Sequence, residues 1–500
     1  MKKKNILIIA FIFVAIFSVI IIKPISDLDE IWNYNTARAI SEGLIPYKDV
    51  SMITTPLVPM VTAILLKLIA NEVIISRILA AILWTGILFT IYKILEKLMK
   101  EENISLICTA LIGILFRDIY CIDYNVTVLL IALITLYREL KETNIYDKKN
   151  DFITGILAGL AICSKQSIGV TLAVIVVIYK MLFIQNKEDV KSYIKSTITR
   201  IIGILIPVII LFIYLIETNA INDFINYAVL GISTFSNKIS YITLFASEKI
   251  EIKILAILVP ITIILMAIAL IISKIIKSEN NKIDKILTLL IYSLSIIIVM
   301  YPISDEIHFL IGSTISIIGL IYMAYILGKY VYDKINYKNK KRIYKIISLI
   351  IWIILFIIIF TKALNNLYSY TKTEKNKTIN HYKNIQIDDY LAERIEKIDS
   401  YIKYQNSNGN NVYILDAEAA IYMIPENKYN KNYDMFLKGN IGKDGEKGQI
   451  EIIKQRKENE LYLIRKPNLK LNWQTPTEVI KYIRENLNKI GEISIYEIYN

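Results

Sequence analysis

Long apolar runs separated by short polar breaks dominate the chain as far as residue 361. They fall at 5–22, 73–92, 103–119, 122–137, 152–164, 168–184, 198–216, 252–273, 285–301, 309–328 and 344–361. A bilayer needs about 20 apolar residues per helix, so the runs predict a polytopic α-helical membrane protein of about eleven spans. The segments 103–119 and 152–164 are short for a full crossing. PLVPMVTAILLKLIA at 56–70 carries two prolines and Lys67 and predicts a helix lying in the interface. The start, MKKKNILIIAFIFVAIFSVIIIKP, joins a basic flank to an apolar core with no small-x-small cleavage site, which predicts an uncleaved first span.

From about 362 no run is long enough to span. Apolar stretches at 411–425, 460–467 and 493–499 alternate with helix-like segments at 388–404 and 476–489. That alternation predicts a small α/β domain. The expected organisation is a transmembrane domain over 1–361, with 23–72 an outer loop containing interfacial helices, and a soluble α/β domain over 362–500. The Gly-rich KGNIGKDGEKG at 438–448 follows no strand-to-helix fingerprint for dinucleotides and reads as a surface loop.

Composition supports the membrane class: 55% of the 500 residues are hydrophobic, and mean hydropathy is +0.47. The net charge of +13 would fit a nucleic-acid binder, but the cations gather in alternate loops. One side receives Lys2–Lys4, Lys93 and Lys97, Arg138 and Lys141, Lys187 and Lys191, Lys277 and Lys282, and Lys338 to Lys341. By the positive-inside rule that side is cytoplasmic, with the N-terminus on it and the C-terminal domain outside a plasma membrane. No nucleic-acid partner is expected. Cys108, Cys121 and Cys163 make no disulfide framework and no zinc spacing.

With this topology the unusual polar residues at span ends sort to the outer side. They are Asp29 with Glu30, Asp49, Arg117 with Asp118, Asp123 with Asn125, Lys165 with Gln166, and Asp305 with His308. A carboxylate beside a lipid-facing cleft can take a proton from an attacking hydroxyl, and cations there can hold a departing phosphate. Each group also has a structural use, as helix cap, ion pair or interfacial anchor. Several carboxylates with one histidine can also hold a divalent ion such as Mg or Mn, although no metal set is legible.

The ordered series D-E-x6-A-x2-I-x2-G-x2-P-Y-x-D (Asp29, Glu30, Ala37, Ile40, Gly43, Pro46, Tyr47, Asp49), followed by Pro56, resembles the GT-C glycosyltransferases. The closest similarity is to the protein O-mannosyltransferase and lipid A aminoarabinose transferase branch. GLAICSKQSIG (159–169) and YPISDEIHF (301–309) resemble later segments of bacterial relatives, as does the DYN of Asp123–Asn125. The resemblance implies inverting transfer of a sugar from a polyprenyl-phosphate donor to a glycan, glycolipid or protein acceptor on the outer face. It assigns Asp29 as base, Glu30 as its catalytic neighbour, and Lys165, Arg117 and His308 to the donor phosphate. Asp49, Asp118, Asp123, Asn125, Gln166 and Asp305 would support them. A flippase or transporter, or a polymerase of lipid-linked glycans, is the alternative. The sugar and the acceptor are not legible.

Overall fold

The computed structural model describes residues 3–25, 28–141, 144–235, 238–275, 281–335 and 340–500. Lys2, Lys277 and Lys338 from the cation set expected on the cytoplasmic side lie outside them. The helices run Lys3–Ile21 (α1), Leu28–Ser41 (α2), Leu57–Leu68 (α3), Val73–Met99 (α4), Glu102–Leu115 (α5), Tyr124–Lys141 (α6), Lys148–Ser164 (α7), Gln166–Ile178 (α8) and Lys187–Glu217 (α9). One turn at Ile221–Phe224 (α10) precedes Ile250–Ile275 (α11), Asn281–Ile296 (α12), Glu306–Lys334 (α13) and Lys340–Lys372 (α14).

Each predicted run coincides with a helix. Among the described residues, eight helices are long and apolar enough to cross a membrane by length and composition. The other three runs do not qualify alone. α5 has 14 residues and α7 has 17, while the last turn of α6 carries Arg138, Glu139 and Lys141. The run 103–119 also breaks at Leu115, after which Arg117–Ile119 forms a separate 3₁₀ turn. α3 has 12 residues, about 18 Å at 1.5 Å per residue, too short for a bilayer core.

Small residues let α7 and α9 approach closely. A Cβ on Gly155 would lie 2.3 Å from the Arg200 carbonyl oxygen, and one on Gly159 2.4 Å from that of Ile204. At one end of this pair sits a charge-balanced cluster within the helical bundle. Arg200 donates to Asp151 at 2.8 Å and to Glu139 at 2.6 Å, and Lys180 reaches Asp151 at 2.8 Å. The spans are therefore less free of charge than the runs imply, because their ionisable residues sit near run ends and meet only on folding.

The C-terminal part contains Asp389–Ser407 (α15), Asn411–Ile414 (β1), Ala419–Met423 (α16), Gly445–Lys454 (α17), Glu460–Arg465 (β2), Thr477–Asn486 (α18), Lys489–Ile493 (β3) and Tyr496–Tyr499 (β4). The sheet order is β1-β2-β4-β3. β1 and β2 are parallel, with Val412 opposite Leu461, and the remaining pairs are antiparallel. The stretch 411–425 is not one strand. After Ile414, a turn at Asp416–Glu418 leads into α16, where the two alanines favour helix.

This part packs directly on α2. Ile31, Tyr34 and Ala37 of α2 share one core with Tyr382, Ile395, Ile398 and Tyr422. Trp32 Nε1 donates to the Ala417 carbonyl at 2.9 Å, and Asn35 Nδ2 to Asp434 Oδ2 at 3.2 Å. Burial pushes the Asp434 carboxyl up to about 6, against the bond from Asn35. The Gly-rich segment is not a free surface loop. Lys443 N donates to Asn226 Oδ1 at 2.9 Å, and Gly439, Gly442 and Gly445 take positive φ, bringing this backbone against Phe235, Asn226 and Thr234.

Candidate active site

Asp29 and Glu30 stand in the first turn of α2, where the helix dipole favours carboxylates. The helix begins at Leu28, so Asp29 lies inside it and is not its N-cap. The two acids are used differently. Glu30 is buried and bound by Arg77 of α4, whose Nε donates to Oε1 at 2.7 Å and Nη2 to Oε2 at 2.9 Å. Such a bidentate pair takes up both carboxylate oxygens. The fold thus gives Glu30, expected as the catalytic neighbour of Asp29, an ion-pair partner on α4.

Asp29 lies within electrostatic reach of Lys165 and Tyr124, as does Asp123. Lys165 sits at the corner where α7 ends and α8 begins, with extended backbone at φ −153°. Gly169 makes that corner possible, since a Cβ there would lie 2.3 Å from the Ile162 nitrogen. Lys165 Nζ donates to Asn125 Oδ1 at 2.8 Å and lies 4.6 Å from the Tyr124 ring centroid. Asp123 in turn accepts from the Asn125 backbone N at 2.8 Å and from Asn125 Nδ2 at 3.0 Å. Burial pushes Lys165 down to about 8, opposed by Asp123 and Asp29.

Gln166 holds the corner in place. Its Nε2 donates to the Ile53 and Ala228 carbonyls at 2.9 and 2.8 Å, and its Oε1 accepts from Thr55 N at 3.2 Å. Asp305 caps α13, accepting from the His308 backbone N at 2.8 Å, and its Oδ1 is 2.8 Å from His308 Nδ1. Although burial opposes its charge, the bonds from His308 hold the Asp305 carboxyl below the usual range. Asp305 also acts electrostatically on Tyr124. Asp29, Asp123 and Asp305, from three separate parts of the sequence, thus act electrostatically on Tyr124, whose ring carries Lys165 Nζ at 4.6 Å.

Three expected residues lie elsewhere. Asp49 accepts from Ile45 N at 2.8 Å and closes its own turn. Asp118 pairs with Lys249 at 2.8 Å, and Lys249 reaches Glu306 at 3.0 Å. Arg117 is half exposed, at 3.6 Å from Asp118 and 3.9 Å from Glu251. It stands at the mouth of an apolar cavity of about 740 Å³ between α1, α5 and α14. That cavity runs along α1 from Leu7 to Val19, with Trp352 and Phe356 opposite and Lys23, Arg117 and Lys362 at one end. Lys23 and Pro24 at this end accept bonds from Arg77 through their carbonyls, at 2.6 and 3.4 Å, so the mouth adjoins the start of α2.

Arg77, the partner of Glu30, is the buried residue beside the candidate site that sequence reasoning passed over. Its signal was available: an arginine within the apolar run 73–92 needs a partner there. Among the described residues no three His, Cys, Asp or Glu side chains converge as a metal set. The three cysteines are unbridged.

No protein-family model matches the chain, and no curated protein sequence does. Solved structures do match. ArnT from Cupriavidus metallidurans bound to undecaprenyl phosphate superposes with a TM-score of 0.58 at 10% identity, over 99% of this chain and 97% of that one. The same protein in its apo state gives 0.56 at 10% identity with the same coverage. The chain has the polytopic membrane fold of ArnT over almost its whole length, and the GT-C resemblance of the sequence is borne out as a likeness of fold.

Proposed function

We propose that the protein is an inverting glycosyltransferase that moves a sugar from a polyprenyl-phosphate donor to an acceptor nucleophile at the outer face of the plasma membrane. The observation that supports this reading is that Asp29 lies within electrostatic reach of Lys165, while an apolar cavity has its polar end, at Lys23 and Pro24, tied by Arg77 to the first turn of α2. Asp29 takes the proton of the acceptor hydroxyl as its oxygen attacks C1 of the sugar. The C1–O bond to phosphate breaks on the opposite side, and the polyprenyl phosphate leaves with the electron pair. Lys165 stabilises the negative charge that develops on the departing oxygen, and His308, held by Asp305, supports it from α13. The groove along α1 receives the polyprenyl chain, with Lys23, Arg117 and Lys362 at its polar end. ArnT bound to undecaprenyl phosphate is the precedent within this fold.

The direct test is incubation of purified protein with synthetic undecaprenyl-phosphate-linked hexoses and pentoses and a host envelope fraction as acceptor. Sugar transfer with release of undecaprenyl phosphate is expected. Translocation of such lipids across vesicle membranes without cleavage would establish a flippase instead.

Lys165→Gln should weaken a charge-assisted contact by about 1.5–3 kcal/mol, raising the apparent donor constant or slowing turnover by about tenfold to a hundredfold. Lys165 is cationic below about 8 and neutral above it, so donor affinity should fall as pH rises through that value. The glutamine variant should lose this dependence. An unchanged donor constant, or a defect confined to the acceptor, would detach Lys165 from the phosphate.

Orientation is tested by thiol labelling in a background lacking the three native cysteines. Cysteines at Lys48 and Tyr404 should react with an impermeant reagent in intact cells, and one at Lys340 only after permeabilisation. The reverse pattern would place this site in the cytoplasm.

A further inference from the structure

We propose that Arg77 is a positioning residue for Asp29: it neutralises Glu30 and pins the first turn of α2, so that the candidate base has no free carboxylate as its sequence neighbour. This inference rests on the reading of Asp29 as the base, but its geometry stands by itself. Arg77 is 1% exposed and Glu30 7%. Besides its two bonds to Glu30, Arg77 Nη1 donates to the carbonyls of Lys23 at 2.6 Å and Ile20 at 3.4 Å, and Nη2 to that of Pro24 at 3.4 Å. One side chain from α4 therefore closes the end of α1, spans the bend to α2 and grips α2 one residue after Asp29.

Such a grip has an electrostatic consequence. Two adjacent carboxylates in a part-buried turn repel, and each disfavours ionisation of the other. Neutralising Glu30 removes that repulsion. A base must be ionised before it can take a proton, so the arrangement keeps Asp29 competent at lower pH than an unpaired Asp-Glu sequence would. Among the described residues, the charged groups near this end of α2 include Lys165 from the α7–α8 corner, Asp123 before α6, Asp305 with His308 at the start of α13, and Lys23 at the end of α1. Lys165, within electrostatic reach, favours the charged form of Asp29. Arg77 acts on this balance through its ion pair with Glu30.

Carbodiimide couples to protonated carboxyls, so the pH dependence of its reaction with Asp29, read by mass spectrometry of the peptide, reports ionisation without substrate. In Arg77→Gln the midpoint should move up by about one pH unit, since Glu30 becomes an unpaired like charge. In Arg77→Gln with Glu30→Gln it should return towards the parent value. Glu30→Gln alone leaves an uncompensated cation and should move the midpoint down. Arg77→Lys should leave it near the parent. If Arg77→Gln does not fold, the downward shift in Glu30→Gln decides. A midpoint unmoved in Glu30→Gln, or an Arg77→Gln shift that persists in the double variant, would overturn the electrostatic role and leave Arg77 a packing residue. The labelling does not depend on sugar transfer, so absence of transferase activity would count against the proposed function alone.

Discussion

Replacing Asp29 by asparagine should reduce sugar transfer by roughly a hundredfold or more while leaving the protein folded. Asparagine keeps the shape and a hydrogen-bonding oxygen but cannot hold a proton at neutral pH. Asp29 also sits in the first turn of α2, and a neutral residue there forfeits only a few tenths to about 1 kcal/mol of helix-dipole stabilisation. Loss of activity with retained stability is therefore the signature of a base and not of a helix-end charge. The defect should appear in turnover with saturating donor and acceptor, because the interaction lost is made as the proton moves. Turnover of Asp29→Asn within a few-fold of the parent would remove Asp29 from the chemistry and leave the carboxylates of Asp123 and Asp305 to be tested in turn.

Arg200→Ala should be the most damaging change to stability, at about 3–5 kcal/mol, because it strips a buried anion of its partner. Glu139 makes its hydrogen bond through Oε1 to Arg200, and its Oε2 has no hydrogen-bond partner among the described residues. Asp151 retains Lys180 at 2.8 Å, so Glu139 is the group left stranded. Arg200 also donates to the Val176 carbonyl at 2.5 Å, tying α9 to α8. Thermal unfolding in detergent should show a large drop for Arg200→Ala. Arg200→Met combined with Glu139→Gln should recover much of it, since no unpaired charge is then buried. An unchanged unfolding midpoint in Arg200→Ala would show that the cluster is hydrated and contributes little.

The two changes strike different regions. Asp29 belongs to a candidate site built from the first turn of α2 and from the segments that lead into α6, α8 and α13, and Arg200 to the helix bundle itself. Gly155 and Gly159 set the distance between α7 and α9, and that packing carries Lys165 at its far end. Disruption of the bundle should therefore impair activity through the Lys165 corner, whereas loss of Asp29 should leave the bundle intact.

Hydrophobic pattern by itself determined the helices of this protein, because a stretch in lipid must satisfy its backbone internally and so forms a helix wherever it is long and apolar. It also located Asp29, Asp123, Lys165 and Asp305, since charge at the end of an apolar run stands out against the run. The C-terminal strands were legible to within a few residues where apolar residues alternate with turns, and failed at Ala419–Met423, where local helix preference won. What only the tertiary structure decided was pairing. Asp29 and Glu30 are neighbours in sequence with the same charge, and nothing local separates a candidate base from a bound anion. Arg77, 47 residues further on, makes that distinction, because a bidentate ion pair depends on how α2 and α4 pack. The same holds for Arg117, which by sequence belonged with Lys165 and by packing stands at the groove along α1. Charge at a run end is a local property of the chain; which opposite charge it meets is set by long-range packing, and only the folded structure fixes that.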